Sequence, residues 1–196
     1  MNRLIIFTRY PQPGYTKTRL IPALGAEGAA QLQRQMTEAT VIKAHKLLEN
    51  VSNLSLEIRY TGTDLSTMKN WLGDELIYQE QEEGDLGMKM FKGFQNAFQQ
   101  GYQKVITIGI DCPDLSVNIL ATAFSQLDQA ELVIGLTTDG GYYLIGLHRL
   151  IPELFNEIHW GTDQVWLETV KIAETLQLNW VNLPILKDID RPEDLY

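Results

Sequence analysis

The chain has 196 residues, 44% of them apolar and 21% charged, with 15 Gly and 7 Pro. That is the make-up of one folded domain, and it excludes disordered, collagenous and low-complexity classes. A formal charge of −9 argues against a nucleic-acid partner, which needs a basic surface, and the single cysteine, Cys112, rules out a disulfide framework and a Cys-rich zinc site. No apolar run approaches the ~20 residues that span a bilayer, and the run after Met1 is too short for a signal peptide, so a cytoplasmic protein without a membrane span is expected.

Charge is distributed unevenly. Residues 1–24 carry Arg3, Arg9, Lys17 and Arg19 and no acid, whereas all 25 acids lie beyond them. A cationic loop on an acidic body suits a small anionic ligand.

A first strand is expected over residues 4–8. The segment 9–19 follows it, where Pro11, Pro13 and Gly14 forbid regular structure and Lys17 and Arg19 flank the Thr18 hydroxyl. In an open α/β sheet such a loop projects into the ligand crevice at the carboxyl ends of the strands. Arg19 can fork onto phosphate oxygens, Lys17 supplies a point charge, and Gly14 lets the backbone approach closely. The spacing fits neither a Walker loop nor a dinucleotide fingerprint.

A helix over 27–49, a strand over 56–61, a helix over 65–71 and a strand over 76–79 come next. Gly84-Asp85-Leu86-Gly87 then opens the clearest helix, with Asp85 as its cap and Leu86, Met90, Phe94 and Phe98 on one stripe. The N-terminus of that helix offers backbone N–H groups to an anion or to a base edge.

The run 105–110 is apolar throughout, as expected of a central parallel strand. Asp111 stands at its tip. Asp114 or Ser116 is better placed to cap the helix over 117–127, which leaves Asp111 free as a ligand for Mg²⁺ or Mn²⁺ bridged to substrate phosphates. The second acid could be Asp139, Asp188 or Asp190. Strands over 132–136 and 142–147 are too close for a helical crossover, so they should be antiparallel or offset and the sheet mixed. Asp139-Gly140-Gly141 between them reads as a hairpin bend. Trp160 and Thr162 could wall a pocket, and Thr162 is also a candidate cap for a helix over 163–176. A strand over 178–183 follows, and Asp190 then reads as a cap before Pro192.

Six motifs in order carry a resemblance: Phe7-Thr-Arg-x-Pro-x-Pro-Gly14-x-x-Lys-Thr-Arg-Leu20, Gly84-Asp-Leu-Gly-x-x-Met90, Gly109-x-Asp-Cys-Pro113, Asp139-Gly-Gly-Tyr-Tyr-Leu-Ile-Gly-Leu147, Trp160-Gly-Thr-Asp163 and Asp188-Ile-Asp-x-Pro-Glu-Asp-Leu195. Together they resemble the bacterial "transferase 1, radical-SAM/selenodomain-associated" family, domain of unknown function 2064, also labelled arsenosugar-biosynthesis glycosyltransferase. The resemblance implies a single α/β domain over 1–196 with the three-layer α/β/α, GT-A-like nucleotide-diphospho-sugar transferase fold and a mostly parallel mixed sheet. It further implies that Arg9, Gly14, Lys17, Thr18 and Arg19 sit at the nucleotide phosphates, with Gly84, Asp85 and Gly87 also on the nucleotide. Asp111 and Asp190 would hold the metal, and Asp139, Gly140, Gly141, Tyr142, Trp160 and Thr162 would line the acceptor side. Two positions depart from the family's pattern: Arg9 stands where a lysine is usual, and Gly-Leu-Thr-Thr138 precedes Asp139 where a proline and an acid are typical.

The implied activity is glycosyl transfer from a nucleotide-diphosphate sugar to a small acceptor, with Asp111, Lys17, Arg19 and Asp139 as the reacting set. Nucleotidyl transfer with release of pyrophosphate, and a non-catalytic nucleotide-binding module, are the alternatives that the sequence leaves open.

Overall fold

The strands β1 (Asn2–Arg9), β2 (Leu54–Thr61), β3 (Ile77–Glu80), β4 (Lys104–Ile108), β5 (Leu132–Leu136), β6 (Tyr142–Leu147) and β7 (Trp180–Asn182) form one sheet in the order β3-β2-β1-β4-β6-β5-β7. The computed structural model that shows this describes residues 1–195. β1 pairs in parallel with β2 and β4, β2 with β3, and β5 with β7. β6 runs antiparallel to both β4 and β5, so the sheet is mixed but mostly parallel.

Alternation along β1 sorts the core into two layers. Leu4 and Ile6 face the helices α1 (Ile21–Leu47) and α4 (Val117–Gln126), packing with Met36, Ala44, Leu120 and Phe124. Ile5, one residue out of phase, faces α3 (Leu86–Gln99) and α5 (Val165–Thr175), with Phe94, Ala97, Val170 and Ala173. A short α2 (Leu65–Leu72) links β2 to β3 and is capped by Asp64, whose carboxylate accepts from Thr67 N. The result is a three-layer α/β/α fold. Among the described residues no helix is long and apolar enough to cross a membrane.

Several element ends differ from the sequence expectation, each for a local reason. α1 begins at Ile21 rather than 27, because Pro22 suits a helix first turn and the break at Gly25 (φ 72, ψ 169) only interrupts the helix. β4 stops at Ile108, where its ladders to β1 and β6 both end. α5 starts at Val165. Thr162 does not cap it; its hydroxyl donates to His159 O and accepts from Gln164 N, closing a turn before the helix. β7 begins at Trp180, because Leu178 N is still bonded to Ala173 O at the end of α5. Ser116, not Asp114, caps α4, its Oγ accepting from Ile119 N.

Candidate active site

Beyond Arg9 the chain folds back over the carboxyl ends of the central strands. Tyr15 N and Thr16 Oγ1 both donate to Gln12 O, at 3.1 and 3.0 Å. Lys17 then adopts a left-handed backbone (φ 43, ψ 47), uncommon outside glycine and asparagine and held here by the bond from Leu20 N back to Lys17 O. This turn sends the Lys17 side chain inward, where it is only 5% exposed and donates to Asp111 Oδ1 at 2.7 Å and to Ile189 O at 2.7 Å. Arg19, two residues on, remains outside and pairs with the Asp190 carboxylate.

The tail of the chain closes the other side. Ile189 N donates to Asp111 O at 2.9 Å, clipping residues 188–190 to the turn after β4. Asp190 does not cap the turn at Pro192, as its position suggests. The Asp194 carboxylate does that work by accepting from Asp190 N and Arg191 N, leaving the Asp190 carboxylate for Arg19. Asp111 itself is half exposed, and with Oδ1 given to Lys17 its Oδ2 has no partner among the described residues.

Negative charge accumulates beside this pair. Burial, with Asp139 next in weight and then Asp194 and Asp111, holds the Asp188 carboxyl above the usual carboxylate range. Burial, then Asp188, Asp111 and Asp139, pushes the Cys112 thiol up, so it is not a thiolate nucleophile. Among the described residues, however, no three His, Cys, Asp or Glu side chains are grouped to hold a metal ion. The carboxylates of Asp111 and Asp190, which border one cavity, are the donor type that a hard cation takes when substrate phosphates and water complete its shell.

Three cavities meet here. One of about 470 Å³ runs across the carboxyl ends of β2, β1 and β4, from Gln81 and Lys89 to Asp111. A second, of about 260 Å³, is framed by Arg9, Lys17, Thr18, Arg19, Gln33 and Asp190, again with Asp111. A third, of about 190 Å³, is bounded by Asp139, Gly141, Tyr142, Trp160, Thr162 and Asp188, and Asp111 and Arg19 reach it too. Asp111 alone of the charged residues lines all three.

Four glycines and one acid from the sequence reading take other parts. Gly14 (φ 81) lies outside all three cavities, and nothing stands within 4 Å of where its Cβ would be; its role is the turn, not a close approach. Asp85 caps α3 by accepting from Met88 N at 2.8 Å, as its position suggests, which occupies one of the N–H groups at that helix end. Gly87 makes room for an indole: a Cβ there would lie 2.3 Å from Trp160 Nε1. Gly84 meets only the Met88 side chain, and of this turn Leu86 alone reaches a cavity. Gly140 packs on the chain entering α5, where a Cβ would meet Asp163 O at 2.3 Å, while Asp139 Oδ1 accepts from Thr137 Oγ1 and Gly141 N and holds the hairpin bend.

Gln33, Gln81 and Lys89 line the crevice without having been picked from the sequence. Gln33 had a signal: it occupies the buried stripe of α1 together with Ala30, Thr37 and Ala44, where an amide is out of place unless it has a task. Gln81 and Lys89 had none.

The comparisons agree with this architecture. Residues 44–162 match the family described as "Uncharacterized protein conserved in bacteria (DUF2064)". A Desulfovibrio desulfuricans G20 protein described as a nucleotide-diphospho-sugar transferase is 32% identical, with a TM-score of 0.92 over 99% of this chain and 84% of that one. The 4-diphosphocytidyl-2C-methyl-D-erythritol synthase of Anaerococcus prevotii DSM 20548 shares the fold at 15% identity (TM-score 0.63, 100% and 92% covered). Rv0371c of Mycobacterium tuberculosis H37Rv, solved in complex with manganese, does so at 12% identity (TM-score 0.53, 99% and 95% covered). No curated protein matches the chain. With the family matched over more than half its length and a 32%-identical relative spanning nearly all of it, the chain belongs to the bacterial DUF2064 family and carries its nucleotide-diphospho-sugar transferase, GT-A-like fold.

Proposed function

We propose that the protein is a metal-dependent transferase that binds a nucleotide-diphosphate sugar and transfers its glycosyl group to a small acceptor. The observation that carries this is the position of Asp111. It stands where three cavities meet, with one oxygen on the sealed Lys17 ammonium and the other unpartnered, and the Arg19–Asp190 pair borders the same space.

Breaking the bond from the sugar carbon to the diphosphate leaves negative charge on the departing oxygen, and positive groups fixed beforehand where that charge develops lower the barrier. Lys17 is such a group, because its backbone turn and its bonds to Asp111 and Ile189 hold it in place before any ligand arrives. Arg19 is exposed and can swing from Asp190 to a phosphate oxygen in a bidentate grip. Asp111 and Asp190 would hold Mg²⁺ or Mn²⁺, which when bound supplies Lewis-acid stabilisation of the phosphate oxygens. On the far side of Asp111, Asp139 keeps Oδ2 clear of its hairpin bonds and can orient an acceptor hydroxyl, between the walls made by Tyr142 and Trp160.

A second reading, nucleotidyl transfer, draws on the second cavity. Arg9, Lys17 and Arg19 line it together, with charge for the β- and γ-phosphates of a triphosphate, which leave as pyrophosphate. Product analysis separates the readings. With nucleotide-sugars and Mn²⁺ we expect free nucleoside diphosphate, and none after chelation. Pyrophosphate from a nucleoside triphosphate and a sugar phosphate would replace the first reading by the second, and tight binding without either product would make the protein a non-catalytic module.

A further inference from the structure

The largest cavity carries a selectivity of its own. Gln81, in the loop between β3 and α3, donates through Nε2 to Thr8 O and to Arg59 O, each at 3.0 Å. Both partners are main-chain carbonyls, which only accept, so the amide orientation is fixed by chemistry: the NH₂ faces the ends of β1 and β2 and Oε1 points elsewhere. Gln33 on α1 is arranged alike, with Nε2 on Arg9 O at 3.0 Å and on Thr8 Oγ1 at 3.2 Å. Neither Oε1 has a partner among the described residues. Nor is either sealed in, since the Tyr142 hydroxyl is the one unpartnered side-chain polar atom buried from solvent among the described residues. Both glutamines line the 470 Å³ cavity, and Gln33 borders the second cavity as well, so the open space common to the two amides is the 470 Å³ cavity.

Two anchored acceptors on one wall, reached from two different elements, call for hydrogen-bond donors on the ligand. Extending the nucleotide-sugar reading above, on which this step rests, the geometry points to a nucleobase bearing an exocyclic amino group, with uracil and thymine disfavoured. Guanine, adenine and cytosine each present an amino group that can donate twice, whereas uracil and thymine present carbonyls with a single ring N–H between them. That N–H can serve one of Gln33 and Gln81, which sets a carbonyl against the other and pairs acceptor with acceptor, and sites built around hydrogen bonds reject such analogues strongly. Neither amide can flip to accommodate it, because flipping would turn an oxygen onto Thr8, Arg9 or Arg59 carbonyls.

The test is equilibrium titration of the whole chain with ADP, CDP, GDP and UDP at fixed Mn²⁺. We expect UDP to bind at least tenfold more weakly than the best amino-bearing diphosphate, and the Gln33→Leu and Gln81→Leu variants to bring the two within about threefold. Gln81 also ties a loop to the sheet, so the wild-type panel decides the matter if that variant does not fold. UDP binding as tightly as the others overturns the assignment while leaving the nucleotide-binding reading intact. Absence of binding by all four to folded, metal-supplied protein overturns both.

Discussion

Two sets of ion pairs flank the sheet, and they are finished to different degrees. Under α3, along β1 and β2, Glu57 is divided between two guanidiniums: Oε2 pairs with Arg3 and Oε1 with Arg59 at 2.8 Å. Arg59 continues to Glu82, and Arg3 lies over the Tyr102 ring, 3.9 Å from its centroid. Arg3, Glu57 and Arg59 are 2, 3 and 1% exposed, so nothing from solvent can join them. At the carboxyl ends, Asp111 has one oxygen spent and one spare, Arg19 is 62% exposed, and cavities adjoin both. A saturated charge cluster serves the architecture; one with an unused valence at a cavity can serve a ligand. This is why the more deeply buried cluster of the two is the one with no chemistry to offer.

The sharpest way to break that contrast is to remove the shared carboxylate of the sealed set. Glu57→Ala leaves Arg3 buried without a counter-charge and Arg59 with Glu82 alone, and losing one partner of a buried pair costs about 3–5 kcal/mol. For a chain of this size that corresponds to a fall in Tm of roughly 6–20 °C, read by calorimetry. Nucleotide affinity of the folded fraction should be unchanged. A Tm shift below about 2 °C would mean that the cluster is solvated in solution and the distinction is false.

Asp111→Asn asks the converse. Asparagine keeps an oxygen for Lys17 but removes the charge, so turnover should fall by on the order of 10²–10³-fold, with nucleotide affinity no longer responding to Mn²⁺. Its effect on Tm should be well below that of Glu57→Ala. Retained metal dependence in this variant would move the cation elsewhere in the crevice.

Gly87→Ala tests the wall that the two halves of the crevice share. A methyl group 2.3 Å from Trp160 Nε1 must displace the indole or tilt α3. Overpacking of this kind costs about 1–3 kcal/mol, and Trp160 lines only the cavity on the Asp139 side. The apparent KM for acceptor should therefore rise while nucleotide affinity holds, a split measurable from two-substrate kinetics.

Much of this was legible in the sequence because it is local. The 105–110 run had to hold a buried strand, although β4 ends at Ile108, five residues between β5 and β6 left no room for a crossover, and Asp85 followed by Met88 reads as a cap. The cations at 17 and 19 and the acid at 111 stand out by type and position, whereas only the family resemblance separates Asp190 from Asp139 and Asp188. What stayed hidden is whether a polar group's bonding is already complete. Asp194 rather than Asp190 holds the final turn, and Gly87 yields to Trp160, seventy-three residues away. Each depends on a partner that only the fold supplies. Likewise Gln81 looks like any surface glutamine until two carbonyls from neighbouring strands claim its NH₂.

Arg19→Ala gives the smallest stability effect and the finest test of the comparison. The Arg19–Asp190 pair is largely exposed, and pairs of that kind contribute about 0–1 kcal/mol, so Tm should scarcely move. If the pair were architectural, nothing else should change either. If instead Arg19 waits on Asp190 until a phosphate arrives, affinity for a nucleoside diphosphate should drop about tenfold, the worth of one charge-assisted hydrogen bond. Arg19→Lys should recover only part of that loss, because an ammonium cannot reproduce the two-pronged grip. Full recovery by lysine would show that Arg19 supplies charge alone, and an unaltered affinity in Arg19→Ala would place this pair with the sealed cluster after all.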